Sequence, residues 1–211
     1  MIFRRRKSEE VPDEAESTSE AARSEGPFDA DDLRVAGLLD GDVARLDLGS
    51  MLLTPREGYD IQMPVEEGSD QFAAAVYAGP ESALELRAFA SPRNGDLWPD
   101  VRREIAAEVT RQGGTATEVE GSFGTELKIA VTVTAPDGQR VQQASRILGI
   151  TGPRWLLRAT MFGRAAVEEG ADAELLATVR DVVVRRGNHP APPGDLLPLR
   201  LPPDATPTPL V

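Results

Sequence analysis

Thr125-Glu126-Leu127-Lys128-Ile129-Ala130-Val131-Thr132-Val133-Thr134 is the stretch that decides the fold class. Leu127, Ile129, Val131 and Val133 recur every second residue, which sets all four on one face of a half-buried strand. Pro136-Asp137-Gly138-Gln139 follows as a turn signal, so residues 125–135 and 140–150 are predicted to form a hairpin. A second turn at Thr151-Gly152-Pro153 leads into an apolar run over 154–162. Upstream, 115–120 reads as a short strand joined to the hairpin by Gly121-Ser122-Phe123-Gly124. Residues 115–162 thus predict an antiparallel meander, because a parallel crossover needs a dozen or more connecting residues.

The period changes on the amino-terminal side. Leu97, Val101, Ile105 and Val109 recur every fourth position and line one face of a helix predicted over 97–112. Asp96 precedes it as a cap, Pro99 falls in the first turn, and Gly113-Gly114 ends it. A further helix is expected from Asp172 to about Val183, carried by Leu175, Leu176 and Val179. Val182-Val183-Val184 reads equally well as a strand.

Before the first helix the two-residue period returns. Leu46, Leu48, Met51 and Leu53 nearly alternate, with a bulge or turn at Gly49-Ser50. Tyr59, Ile61 and Met63 alternate with polar residues. Glu66-Glu67-Gly68-Ser69-Asp70 is a turn cluster, and 72–78 and 82–90 form two more strands about Gly79-Pro80-Glu81. In the last of these, Leu84, Leu86 and Ala88 face one way and Glu85, Arg87 and Phe89 the other. The expected fold is α+β: an antiparallel sheet of about six or seven strands with two helices packed on it.

Both ends differ in composition from this core. Residues 1–32 are expected to be a disordered acidic arm, since residues 8–32 hold ten carboxylates and the single Arg23. Ile2-Phe3 with Arg4, Arg5, Arg6 and Lys7 reads as a solubilising start or as a contact for an acidic surface. Residues 33–187 are the expected single domain. Residues 188–211 form a proline-rich tail whose Leu196, Leu197, Leu199 and Leu201 suit partial docking on the domain itself or a partner.

Composition removes whole classes of chemistry. With no cysteine among 211 residues, disulfides, thiolate metal sites and cysteine nucleophiles are out. The one histidine, His189, sits in the tail without an acidic or nucleophilic neighbour, which removes histidine-based catalysis and multi-histidine metal sites. A net charge of −12 argues against a general nucleic-acid surface. No stretch suits a membrane span and no apolar leader follows the charged start, so the cytoplasm is the default setting. No cofactor is expected. Glu104 and Glu108 read as a solvated helix face beside Arg103 and Arg111. Gly113-Gly114 and Gly121-Ser122-Phe123-Gly124 lack the setting of a phosphate loop.

What remains is Gly152-Pro153-Arg154-Trp155-Leu156-Leu157-Arg158, with Arg146 on the preceding strand and Trp98 opening the first helix. Tryptophan and arginine are common binding anchors. They serve equally as core plugs and as partners of cross-strand carboxylates. Trp155, Arg158, Arg146 and Trp98 are the candidate binding residues, and both readings stay open.

Several strings carry a resemblance: Arg45-Leu46-Asp47-Leu48-Gly49-Ser50, Leu97-Trp98 with Glu104-Ile105-Ala106, Gly121-Ser122-Phe123-Gly124-Thr125-Glu126-Leu127, Gly152-Pro153-Arg154-Trp155 and Asp181-Val182-Val183-Val184. Over residues 40–202 the chain resembles an uncharacterised actinobacterial protein family. That family transfers no catalytic or binding residues. The order of elements is also similar to the fold shared by a nuclear-transport accessory protein and a photosystem accessory protein, an analogy of topology that leaves function open. The functional expectation is a non-catalytic cytoplasmic accessory protein that engages a protein partner. The alternative is a carboxylate-based enzyme or small-ligand binder with a pocket near Trp155.

Overall fold

The computed structural model describes residues 26–35, 44–65, 72–134 and 138–202. The basic stretch from Arg4 to Lys7, the acidic arm as far as Glu25, the turn at Glu66 to Asp70, Pro136-Asp137 and the prolines from Pro203 onward lie outside the described residues.

In chain order the strands are β1 (Phe28–Asp29), β2 (Leu46–Asp47), β3 (Met51–Leu53), β4 (Asp60–Gln62), β5 (Ala75–Ala78) and β6 (Ser82–Ala90). They continue as β7 (Thr115–Gly121), β8 (Gly124–Thr134), β9 (Arg140–Gly152), β10 (Trp155–Gly163) and β11 (Val183–Val184). The helices are α1 (Ala30–Val35), α2 (Trp98–Arg111), α3 (Arg164–Val167) and α4 (Ala173–Asp181). Seven strands form an antiparallel sheet in the order β4-β5-β6-β10-β9-β8-β7, as the alternation of the meander requires. The expected α+β class and strand number hold.

The 46–53 segment does not join that sheet. It folds at Gly49-Ser50 into the β2–β3 hairpin of a second, four-stranded sheet, ordered β1-β11-β3-β2. Gly49 takes the left-handed φ of 84°, and its N–H bonds the Asp47 side chain at 2.8 Å. The ambiguity at Val182-Val183-Val184 resolves as a break. α4 ends at Asp181, Val182 is extended, and Val183–Val184 pairs with β3 on one side and β1 on the other. β1 lies parallel to β11, a long-range pairing that no local period signals.

The two long helices cover opposite faces of the large sheet. Successive residues of β10 point to opposite sides. Trp155, Leu157, Ala159 and Met161 join Leu84 and Leu86 of β6 and Leu175, Leu176 and Val179 of α4 in one core. Leu156 points the other way, into a second core with Trp98 and Val109 of α2 and Leu127, Ile129 and Ile147. Full burial of each such side chain stabilises by about 1.5–3 kcal/mol. Within the first core the Tyr77 hydroxyl donates to the Thr54 carbonyl at 2.9 Å, and burial pushes its phenol pKa above the ordinary value.

α2 begins and ends as its sequence suggests. Asp96 accepts the Trp98 N–H at 2.9 Å, Pro99 occupies the first turn, and Gly113 takes φ 78° while the Gly114 N–H bonds the Val109 carbonyl. The helix packs chiefly over β7, β8 and β9, so the β10–β6–β5 half of that face carries less cover.

Both ends of the described chain tie onto the core. The arm expected through residue 32 packs from residue 26 onward: the Phe28 N–H bonds the Val182 carbonyl, and Ala30 and Leu33 are buried against Leu52 and Val183. The tail fills a gap in the large sheet. β5 pairs with β6 only as far as Leu86, leaving the edge of residues 87–90 without a strand. Residues 194–197 take that edge through Gly194 N–H to Ala90 carbonyl, Ala90 N–H to Asp195 carbonyl and Leu197 N–H to Ala88 carbonyl bonds, each 2.8 Å. Leu197 and Leu199 are buried beneath them.

Candidate functional site

The four residues singled out in the sequence fall on two sides of one sheet. On the α4 side, Trp155 is enclosed at 1% exposure, and its indole N–H donates to the Asp29 carboxylate at 2.7 Å. The ring lies on Gly152, its own cross-strand partner, where a Cβ would come within 2.0 Å of the indole. The indole fills the core, so the pocket expected near Trp155 does not open at its ring.

Arg146, on the same side, is clamped. Its guanidinium bonds both carboxylate oxygens of Glu126 and one of Asp172. Glu126 is buried at 1% exposure, and its bonds to Arg146 hold the guanidinium pKa above the ordinary value. The clamp sits in a cleft of 550 Å³ between the β7–β9 end of the sheet and the α3–α4 connection, lined also by Lys128, Glu120 and Gly170. Three of Arg146's five N–H donors are spent on its own chain.

On the α2 side, Trp98 and Arg158 come together. The Trp98 ring lies on Gly149, where a Cβ would meet it at 2.1 Å, and its N–H donates to the Thr125 carbonyl at 2.8 Å. Gly149 is the direct cross-strand partner of Arg158. At 4% exposure Trp98 walls the site without presenting its face to solvent.

Sequence reasoning missed the residues around Arg158. Arg87 is its register partner on β6, Glu85 lies one pair further along the same face, and Phe89 one pair before. The signal existed in the alternation of Glu85, Arg87 and Phe89 opposite Leu84, Leu86 and Ala88. It gave the facing of those side chains without giving their neighbour across the sheet.

Arg158 and Glu85 differ sharply in how they are satisfied. Glu85 accepts from Arg87 at 2.9 and 3.3 Å. Arg158 reaches Glu85 only at 3.9 Å, beyond hydrogen-bond range. Its Nε is buried without an acceptor, and its guanidinium stacks on the Phe89 ring at 5.2 Å. Burial, and next the Arg87 charge, lower its pKa from the ordinary value. Its side chain stays 23% exposed. Beside it the tail places Leu196, 37% exposed, opposite Phe89. The result is a shallow surface floored by charge and aromatic ring, walled by α2 and the tail.

The remaining candidates do not assemble a reactive centre. His189 is exposed in the tail, where its carbonyl accepts from Arg186. Glu108 bonds Arg111 and Gln112 on the open face of α2, and Glu104 is exposed there as well. Among the described residues no three His, Cys, Asp or Glu side chains group so as to hold a metal ion. Among them, too, no helix is long and apolar enough to cross a membrane.

A family described as protein of unknown function (DUF3710) matches residues 26–208, and the chain belongs to it. No curated protein matches the sequence. Solved structures with a similar fold include the solution structure of cyanobacterial PsbP (CyanoP) from Synechocystis sp. PCC 6803, 11% identical, with a TM-score of 0.37 over 69% of this chain and 95% of that one. A mutant of protein Mog1 is 16% identical, with a TM-score of 0.37 over 68% of this chain and 96% of that one. Likeness of this degree concerns the arrangement of elements and carries no argument about activity.

Proposed function

We propose that the chain is a non-catalytic accessory protein that receives a protein partner on the α2 side of its large sheet, beside Arg158. The cytoplasm is the proposed setting. One observation carries the reading: an arginine side chain 23% exposed that no carboxylate bonds, stacked on the Phe89 ring, with the exposed Leu196 on the far side of that ring. Arginine and aromatic groups so placed are typical anchors of an interface. A local cation beside a second arginine, Arg87, favours a partner that presents an acidic segment, against the overall charge of −12.

Two photo-cross-linkers distinguish this face from the other. One replaces Phe162, on the α2 side of β10, and the other Val119, in the cleft at Arg146. The expected result is a discrete protein adduct from position 162 that disappears on adding Arg158→Glu. An adduct from position 119 alone, or one indifferent to Arg158→Glu, overturns the assignment. The 550 Å³ cleft supports the second reading, a small-ligand binder, with Lys128 as its donor since Arg146 is engaged. A ligand that raises the melting temperature and is lost with Lys128→Ala would favour it.

A further inference from the structure

Resting on that reading, the geometry points to a carboxylate exchange: the acidic segment of the partner places a carboxylate on Arg158, and Glu85 is the resident counter-ion that makes room for it. A planar guanidinium binds a carboxylate best through two parallel N–H···O bonds, with both charges drawn close. Arg158 has no such bond among the described residues. Glu85 neutralises part of its field from 3.9 Å while spending its oxygens on Arg87. An incoming carboxylate approaches through the 23% of the side chain that stays exposed, the enclosed Nε being out of its reach, comes closer than Glu85 does, and relieves part of the repulsion from Arg87, its register partner.

The neighbours say what else the segment carries. Phe89 lies under the guanidinium, and Leu196 stands exposed across from it. A free oxyanion would meet the charge and leave that apolar surface wet. A chain with an apolar residue flanking its carboxylate covers both. Phe89, Arg87 and Glu85 follow one another along the same face of β6 beside Arg158, so the segment lies extended over the sheet face, not at an edge.

The test uses the full chain and a fluorescein-labelled peptide alternating Glu and Leu, followed by fluorescence anisotropy. Wild type is expected to bind it, and a peptide with Gln for every Glu is not. Arg158→Gln should weaken binding by about tenfold or more, the loss of a charge-assisted pair, with Arg158→Lys between. Glu85→Gln should strengthen it by about tenfold, because the competing carboxylate is gone. Thermal melts of each variant confirm folding.

Equal affinity in wild type and Arg158→Gln overturns the proposal, as does equal binding of the Gln peptide. Weakening by Glu85→Gln refutes the exchange, since Glu85 would then be holding Arg87 in place for the ligand. If inorganic phosphate displaces the peptide as effectively as unlabelled peptide does, the site takes a free oxyanion and the acidic segment is excluded. A wild-type chain that ignores the peptide sinks the carboxylate chemistry alone; the cross-link at position 162 decides separately whether this face meets a protein.

Discussion

Two arginines on opposite faces of the same sheet differ in what surrounds them. Arg146 on the α4 side is bonded to the buried Glu126 and to Asp172, whose side chain is 13% exposed. Arg158 on the α2 side has a carboxylate at 3.9 Å and an Nε with no acceptor. One guanidinium bonds two carboxylates of its own chain and ties β8, β9 and the entry to α4 together. The other retains bonding capacity at a surface. Residue type is identical, so the contrast teaches that an arginine's role here is set by what lies across the strand and beneath the sheet.

The sharpest way to break that contrast is to remove the clamp. Arg146→Met strips Glu126, 1% exposed, of its counter-charge and leaves a carboxylate buried without compensation. Breaking a buried pair on one side costs about 3–5 kcal/mol. For a chain of this size that lowers the melting temperature by roughly 10 °C. A melt within a degree or two of wild type would mean that the carboxylate finds water or another donor, and Arg146 would lose its structural assignment.

The tryptophans extend the comparison, because each lies on a glycine of β9: Trp155 on Gly152 and Trp98 on Gly149. Trp155→Phe keeps most of the packing and deletes the N–H that satisfies Asp29, 9% exposed. Loss of a hydrogen bond to a charged group predicts a deficit of about 1.5–3 kcal/mol in denaturant unfolding. Asp29→Asn, which leaves an acceptor for the indole, should cost less. If the asparagine variant proves the worse of the two, the segment 26–35 is held by something other than this bond.

These residues also mark what the sequence can and cannot disclose. The alternation around Leu127 and the four-residue period of α2 are local, so the large sheet and its best helix were legible. Gly149 and Gly152 looked like ordinary strand and turn residues, yet each is the space in which an indole lies. Asp29 read as one more charge of an acidic arm, because nothing nearby in sequence announces Trp155 as its partner, 126 residues away. Likewise the sequence grouped Arg158 with Trp155, whereas three residues apart on β10 they point oppositely, Arg87 and Glu85 flanking the first and Asp29 the second. Periodicity sets facing; pairing across the sheet sets chemistry, and that requires the register.

The smallest effect expected is the one that bears most directly on the proposed site. Arg158→Met removes a guanidinium whose burial disfavours its charge and whose register partner, Arg87, carries the same sign. It replaces the charge with an apolar chain of similar length over Phe89. Exchanging a poorly compensated charge for packing is often neutral or stabilising, so unfolding free energy should change by less than about 1 kcal/mol in either direction. A loss above about 2 kcal/mol would instead place Arg158 beside Arg146 as a structural tie. A stable variant that no longer forms the adduct at position 162 would separate the two arginines by role, one holding the sheet and one facing its partner.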